Sequence, residues 1–590
     1  MLYKLTANHS SFKSIVFSKG LNIILGERIE TSGEKDSRNT LGKTTFIEII
    51  DFCLGSDFTK QSKLYAPELE DWAFTLELEI SGYRFEVTRY INDDKKIYIH
   101  PFSSAFPIEL KQNKDKTTYI DLSDWRLFLG KHLFNIPTFE TKQSYGPSAR
   151  SILGYFIRKS GGYNKPFETF KNEKSIQIKV NNAFVLNLMW EKSLELDNLL
   201  VEMNKYGKLI KFYKEVGNTP GKLNTQMVIL SDEITLLRKN IENFNVLPEY
   251  NDIQSAANSL TKKIQHLNNL IILNQKKLDE YKQVVADETS NTDFDIIQSL
   301  YKEAQVIFSD NIIKTLEDVK KFNEIIVKNR KEFLQEEIKR LQLDINQAQK
   351  EVKKYSDEKA EKMKLLSAHG ALDEYSLLQD RLSKKMSALE SLRLEKEKQE
   401  NAQKEVFSKK SIKDQLKYEI SNNISTNENL KEEISIFNKN SMHLYDMSAN
   451  LVVDIDKNGN YKYSISREKS SEGVERMNIF CYDMMLIEMY KKNLTNGIDF
   501  LIHDSTIYDA VDSRQRALAI ELAKSKSSTL GFQYIFTINS DLLPLDDFSQ
   551  DFDYNDYVVC KLSDGDISGS LLGISYSASV DEEHEIEINS

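Results

Sequence analysis

Apolar positions change their period twice along this chain. Near the N-terminus Phe74, Leu76, Leu78 and Ile80 alternate with Thr75, Glu77 and Glu79, the period of a strand with one buried face. Ser81-Gly82 then offers a turn and Tyr83 to Tyr90 a second β-rich run, so a hairpin is expected. From about 186 to 440 the period becomes a heptad. Met227, Leu230, Ile234, Leu237, Ile241 and Phe244 advance by alternating threes and fours, and Ile264, Leu267, Ile271, Asn274, Leu278 and Tyr281 repeat the stepping. Farther on, Leu334, Ile338, Leu341, Ile345, Ala348, Val352 and Tyr355 do the same. Such seams predict coiled-coil arms, with a compact helical bundle as the alternative. After about 441 strand-like runs return, Leu451 to Asp456 and Tyr461 to Ser466, around the turn sequence Asp456-Lys457-Asn458-Gly459-Asn460.

Breaks in the heptads place the turn of a hairpin. Pro248 interrupts the outgoing arm and Ser367-Ala368-His369-Gly370 the returning one, and both lie 61 residues from position 309 (309 − 248 and 370 − 309). Equal distances suggest a joint at matching height on an antiparallel pair, and that much straight helix would reach roughly 90 Å. A further break, Gly217-Asn218-Thr219-Pro220-Gly221, has no mirrored partner in the sequence. The expected layout is a mixed α/β half (1–185), an outgoing arm (186–285), a helical tip (286–333), a returning arm (334–440) and a second α/β half (441–590).

Composition adds limits. Charged residues make up 29% of the chain against 22 glycines and 9 prolines, which favours long helices. A net charge of −11 argues against a generally basic surface but not against a local basic groove. The scattered cysteines Cys53, Cys481 and Cys560 form no CxxC pair, which fits a reducing cytoplasm. Met1-Leu2-Tyr3-Lys4-Leu5 enters a strand without a signal-peptide core, and no run of about 18 apolar residues predicts a membrane span. The acidic end, Asp581, Glu582, Glu583, Glu585 and Glu587, reads as a solvated tail.

Chemistry concentrates at the two ends. The apolar strand Leu21-Asn22-Ile23-Ile24-Leu25-Gly26 leads to Asn39-Thr40-Leu41-Gly42-Lys43-Thr44-Thr45, ahead of the apolar helix Thr45 to Leu54. A phosphate-binding loop needs small residues whose N–H groups wrap a phosphate, a Lys for the β/γ oxygens and a Ser/Thr for magnesium. Gly42, Lys43 and Thr44 fill those places, with Asn39 and Thr45 flanking. Ser37 stands where the usual pattern has its first glycine, and a polar insertion, Arg28 to Asp36, precedes it. About 460 residues on, Phe500-Leu501-Ile502-His503-Asp504 is an apolar strand ending in a carboxylate able to hold the nucleotide's magnesium, or merely capping the strand. Ser505 follows where a water-polarising Glu would be usual; Asp509 and His503 are candidate substitutes. A second strand, Gln533 to Asn539, ends in polar residues suited to the γ-phosphate side. Ser471-Glu472-Gly473-Val474-Glu475-Arg476 opens the helix Met477 to Tyr490, where a Ser and a Gly can offer donors to a phosphate, or simply cap the helix.

In this order the chain resembles the SMC/RecN/RecF branch of ABC ATPases. Gly42 to Gly55 is similar to that branch's phosphate-loop helix, Ser471-x-Gly473-x-x-Arg476 to its signature, Asp504 to Asp512 to its Walker B and D-loop run, and Asn539 falls at its switch position. The polar insertion and the absent Glu look more like the coiled-coil ATPases of bacterial ABC-three-component and other anti-phage systems; no zinc-hook CxxC occurs at the tip. The resemblance implies an α/β ABC-type head assembled from both chain ends, with a coiled-coil hairpin inserted. It implies ATP and Mg2+ as cofactors, and a homodimer in which Lys43, Thr44 and Asp504 of one head face Ser471 and Gly473 of the other. It further implies ATP hydrolysis and action on DNA with a separate effector or accessory protein, in defence or repair; a nucleotide-gated scaffold with little turnover is the alternative. Arg89 is weighed as a base-side contact against a surface strand charge. Arg150, Arg158 and Lys159, with Tyr155 and Phe156, are weighed as a phosphate-reaching patch against the link to the arm, and Lys320 to Lys331 as a tip patch against a solvated helix face.

Overall fold

The computed structural model describes the chain except residues 28–40, 61, 103–105, 115, 138–144, 172, 216, 245–250, 290–309, 367–371, 447–448, 468–470, 494–496, 565 and 577–590; helical residues 251, 283–289, 310–334, 365–366 and 372–373 are described as backbone only. Ser37, Asn39, the polar insertion, Pro248, the break at 367–370, the centre of the tip and the acidic tail therefore lie outside the described residues, as do the side chains of Lys320 to Lys331. Two compact units divide the chain: Met1–Asp197, Ile297–Lys321 and Gln415–Ser590 form one, Asn198–Ile296 and Phe322–Asp414 the other.

The first unit is α/β. Its strands are β1 (Leu2–Ala7), β2 (Ile15–Val16), β3 (Gly20–Glu27), β4 (Ala73–Ile80), β5 (Tyr83–Tyr90), β6 (Lys96–Pro101), β7 (Lys111–Gln112), β8 (Thr118–Asp121), β9 (Ile157–Arg158), β10 (Asn450–Ile455), β11 (Tyr461–Ser466), β12 (Phe500–His503), β13 (Gln533–Asn539) and β14 (Val558–Ser563). Among the described residues five of them form a sheet in the order β14-β3-β13-β12-β9, every neighbouring pair parallel. Strands from both ends of the chain thus share one sheet. Near-continuous burial of β3, β12 and β13 is what a parallel sheet covered on both faces requires. A second, antiparallel sheet runs β2-β1-β4-β5-β6-β8-β7. There β4 alternates as its sequence predicts, and Ser81 and Gly82 join it to β5 with φ of 52° and 81°, the positive pair a tight hairpin favours.

The helices are α1 (Lys43–Cys53), α2 (Leu122–Phe134), α3 (Ala149–Leu153), α4 (Ser175–Val185), α5 (Trp190–Glu215), α6 (Pro220–Glu242), α7 (Asn251–Thr289), α8 (Asp310–Leu366), α9 (Leu372–Thr426), α10 (Glu428–Leu444), α11 (Glu472–Asn493) and α12 (Ser513–Leu530). Among the described residues no helix is long and apolar enough to cross a membrane.

Heptad residues carry the second unit. Ile234 packs with Leu382 and Leu389, and Leu278 with Leu341 and Ile345, so α6 runs antiparallel to α9 and α7 to α8. Where the sequence offers Gly217 to Gly221 without a mirrored partner, α9 runs on unbroken. Asn218 Nδ2 donates to Glu395 Oε1 (2.7 Å), and Gln399 Nε2 donates to the freed Asn218 carbonyl (2.9 Å). The straight arm is corrected, however. Ala257 clusters with both Met363 and Tyr375, and with Ile241 and Phe244 from before the break. Gln379 Nε2 donates to Asn258 Oδ1 (2.9 Å), and farther along Lys398 pairs with Glu280. Two contacts about 20 residues apart along both α7 and α9 mean these helices lie side by side, so the α7–α8 pair doubles back on α6–α9. Antiparallel pairing and a compact bundle are both present.

Candidate functional site

Parallel strands bring their carboxyl ends to one edge, where open α/β sheets bind ligands. At the end of β3 the description resumes with Leu41 and Gly42, and α1 starts at Lys43. Gly42 has φ +89°, and a Cβ there would stand 2.8 Å from Leu571 Cβ, so both backbone and space demand glycine. Leu571 N–H donates to the Leu41 carbonyl (3.0 Å), and the Tyr576 hydroxyl meets Thr45 Oγ1 at 3.0 Å. This C-terminal brace on the start of α1 has no sequence signal, because 531 positions separate Thr45 from Tyr576.

Lys43 is buried, and its Nζ donates to Asn539 Oδ1 at 2.5 Å. Gly26 is in register with Asn539. A Cβ on Gly26 would lie 3.0 Å from Asn539 Oδ1 and 3.4 Å from Lys43 Cδ, so the bare backbone ending β3 leaves the space in which the two polar groups meet. Asp504 follows β12, on the far side of β13. With ~4.8 Å between strands, the ends of β3 and β12 are about 10 Å apart. Asp504 Oδ1 accepts from Thr506 N–H (3.2 Å), Thr506 Oγ1 (2.9 Å) and Ser505 Oγ (3.3 Å), capping the single turn Ser505–Tyr508. Among the described residues its buried Oδ2 has no hydrogen-bond partner. Leaving a buried acceptor unpaired costs about 1–3 kcal/mol, more for a charged one. A free carboxylate oxygen here and the half-buried Thr44 hydroxyl are the oxygen donors magnesium takes, the rest of its shell being phosphate and water. The residues present fit that ion.

Ser471 accepts the Glu475 N–H on its carbonyl (2.9 Å) at the start of α11. A Cβ on Gly473 would lie 2.2 Å from the Ala510 carbonyl oxygen and 3.1 Å from Val511 Cα. The fold thus joins Lys43 to Asn539, and Gly473 to the Ala510-Val511 backbone beyond Asp504. Arg476 Nη1 donates to the Tyr163 carbonyl, and the Tyr163 hydroxyl accepts the Asp504 N–H at 2.8 Å.

Several expectations are corrected. His503 is no surrogate base at this edge: it is fully buried, with Nε2 3.1 Å from Asp483 Oδ2 and Nδ1 2.9 Å from the Tyr534 hydroxyl. Burial pushes its pKa down against the pull of Asp483. Asp483, on α11, also takes Arg158 through Nε (2.6 Å) and Nη2 (2.8 Å). Arg150 and Lys159 both pair with Asp51, at 2.6 and 2.5 Å, and Tyr155 and Phe156 are fully buried. The proposed phosphate-reaching patch is therefore spent on internal pairs. Burial pushes the Asp51 carboxyl up, but Arg150 and Lys159 outweigh it and bring it to about 2. Arg89 is neither a base contact nor a surface charge. It is fully buried, with Nη1 on the carbonyls of Phe52 (2.7 Å) and Ser56 (2.6 Å). With Arg126 on the Gly55 carbonyl (2.9 Å) and Arg150 on that of Leu54 (3.3 Å), it neutralises the C-terminal end of α1. The N-terminal end of the same helix, at Gly42 to Thr44, is the one that offers donors to an anion.

Residues 440–576 match a family model described as an uncharacterised protein conserved in bacteria, DUF2326. No curated protein matches the chain. Among solved structures, an Smc head domain with a coiled coil and joint derived from Pyrococcus yayanosii is similar at 13% identity and a TM-score of 0.33, with 92% of this chain and 94% of that one covered.

Proposed function

We propose that the carboxyl edge of the parallel sheet binds magnesium ATP and that two copies of the chain associate through it. In this reading Gly42, Lys43, Thr44 and Thr45 hold the phosphates, Asn39 borders them, Thr44 and Asp504 hold the ion, and Asn539 senses the γ-phosphate. Ser471 and Gly473 of a second copy close the site, so that nucleotide contacts neither copy makes alone drive the association. The observation that carries the reading is the Lys43–Asn539 hydrogen bond of 2.5 Å, together with a buried Asp504 oxygen, at the end of the strand next to β13, that has no donor among the described residues. Magnesium, when bound, supplies charge neutralisation at the phosphates; the chain's own residues orient and desolvate them. Lys43→Ala is expected to weaken magnesium-ATP binding by at least about tenfold, the scale of one lost charge-assisted hydrogen bond, as measured by calorimetric titration. Wild-type affinity in that variant would refute the site.

ATP hydrolysis, action on DNA and a setting in anti-phage defence or DNA repair, with a separate effector or accessory protein, belong to the same proposal and follow from the resemblance. One observation favours the nucleotide-gated scaffold instead. Ser505, at the position of the usual Glu, directs its hydroxyl to Asp504 Oδ1 (3.3 Å), and of the two substitutes His503 is buried while Asp509 is exposed. ATP-dependent association without phosphate release would select that reading; steady turnover abolished by Asp504→Asn would select the ATPase.

A further inference from the structure

Between the start of α11 and the strand end that carries Asp504 stands Tyr163, a residue no motif singles out. Its backbone carbonyl accepts Arg476 Nη1, and the Arg476 guanidinium lies 5.9 Å from its ring centre. Its hydroxyl oxygen accepts the Asp504 N–H at 2.8 Å and donates its own hydrogen to the Arg158 carbonyl at 3.0 Å. The residue is 2% exposed. Arg158 is held in turn by Asp483 of α11, so Tyr163 sits in a frame fixed on both sides.

We propose that Tyr163 is a positioning residue that couples Arg476, in the segment opening α11, to the magnesium ligand Asp504; this rests on the nucleotide-site reading above. Two features carry it beyond packing. Asp504 Oδ1 is taken up by the Ser505–Tyr508 turn, so the direction of the free Oδ2 is set by where its backbone N–H is held. Among the described residues the buried Arg476 Nε has no hydrogen-bond partner, which leaves a donor for a new acceptor. A pull on Arg476, such as a phosphate or a second head arriving at Ser471 and Gly473, moves the Tyr163 carbonyl. Through the ring it then moves the Asp504 N–H.

The test uses the full chain with Tyr163→Phe, which keeps the ring and the carbonyl but removes the hydroxyl, and Arg476→Lys, which keeps the charge but loses the fork. A fluorescent ATP analogue is titrated with and without Mg2+. Tyr163→Phe is expected to bind metal-free nucleotide like the wild type while needing about tenfold more Mg2+ for the metal-dependent gain, the scale of one buried hydrogen bond. The double variant is expected to fall short of the product of the single losses, as coupled residues do. Should Tyr163→Phe fail to fold, Arg476→Lys must show the same Mg2+ shift. Unchanged Mg2+ dependence, simply multiplicative losses, or a fall in metal-free binding that tracks lost thermal stability would each overturn the coupling. A wild-type chain that binds no nucleotide would overturn the site reading itself, an outcome visible before any variant is made.

Discussion

At the scale of single residues, burial decides what each charge is for. Arg150, Arg158 and Lys159 are the cations the sequence offers to a phosphate, and all three are paired inside the first unit, while Arg89, weighed as a base-side contact, is held there on backbone carbonyls. Glu433 shows the cost of the same burial without a cation. It is fully buried, takes a hydrogen bond from Asn187 Nδ2 (3.1 Å), and among the described residues its Oε2 has no partner. Burial raises its pKa to about 8, against a smaller opposing effect from Asn187. A folded-state pKa above the ordinary carboxylate value gives stability that is fully present below about 4.5 and is lost as pH rises through about 8. The loss is on the order of 5 kcal/mol at the far end of that window. Glu433→Gln is expected to flatten the fall in Tm between pH 5 and about 9. Parallel pH dependences in calorimetric scans of the two proteins would show that the burial of Glu433 is not felt.

At the scale of elements, the site is a set of helix and strand ends held in place by glycines. Gly26 and Gly473 carry no conformational role that their sequences reveal; each is needed because another backbone or polar group occupies the space of a Cβ. Gly473→Ala is expected to push the Ala510-Val511 segment from α11, costing about 1–3 kcal/mol as an overpacked contact. ATP-dependent association of two copies, whose shared site Gly473 is proposed to close, should weaken as well. Calorimetry with ATP titration separates the two; unchanged stability would mean that α11 yields without cost. The element ends were partly legible. Glycine, lysine and threonine before an apolar helix, and a carboxylate after an apolar strand, are marked by residue type and order alone, and the structure sets them at the start of α1 and the end of β12. The brace by Leu571 and Tyr576, more than 500 positions from its partners, and the arginine cluster at the end of α1, 33 to 96 positions from its own, were not legible, because nothing local marks a contact made by a distant segment.

At the scale of the whole molecule, the doubling back of the helical unit is the feature that separates a paired hairpin from a straight arm. In a straight antiparallel pair centred near 309, Glu280 would face the region of 339 and Lys398 the region of 221, some 90 Å apart at 1.5 Å per residue; here they form an ion pair. A zero-length carbodiimide cross-link between Glu280 and Lys398 within one chain is therefore expected, read by peptide mass spectrometry. Its absence at protein concentrations where lysine–carboxylate pairs such as Lys385–Glu233 do react would mean the helices are extended in solution. By itself the sequence determined that there are α/β ends and heptad helices, which residues form the seams, and which side chains could hold a phosphate and its metal. Those properties follow from period and residue type, which are local. Only the tertiary structure decided that strands from both ends share one parallel sheet, that Lys43 meets Asn539, that Arg158 and His503 are spent on Asp483, and that the helices double back. Each of these depends on which distant surfaces exclude water together, and the hydrophobic effect that drives such pairing is non-directional, so no stretch of sequence marks its own partner.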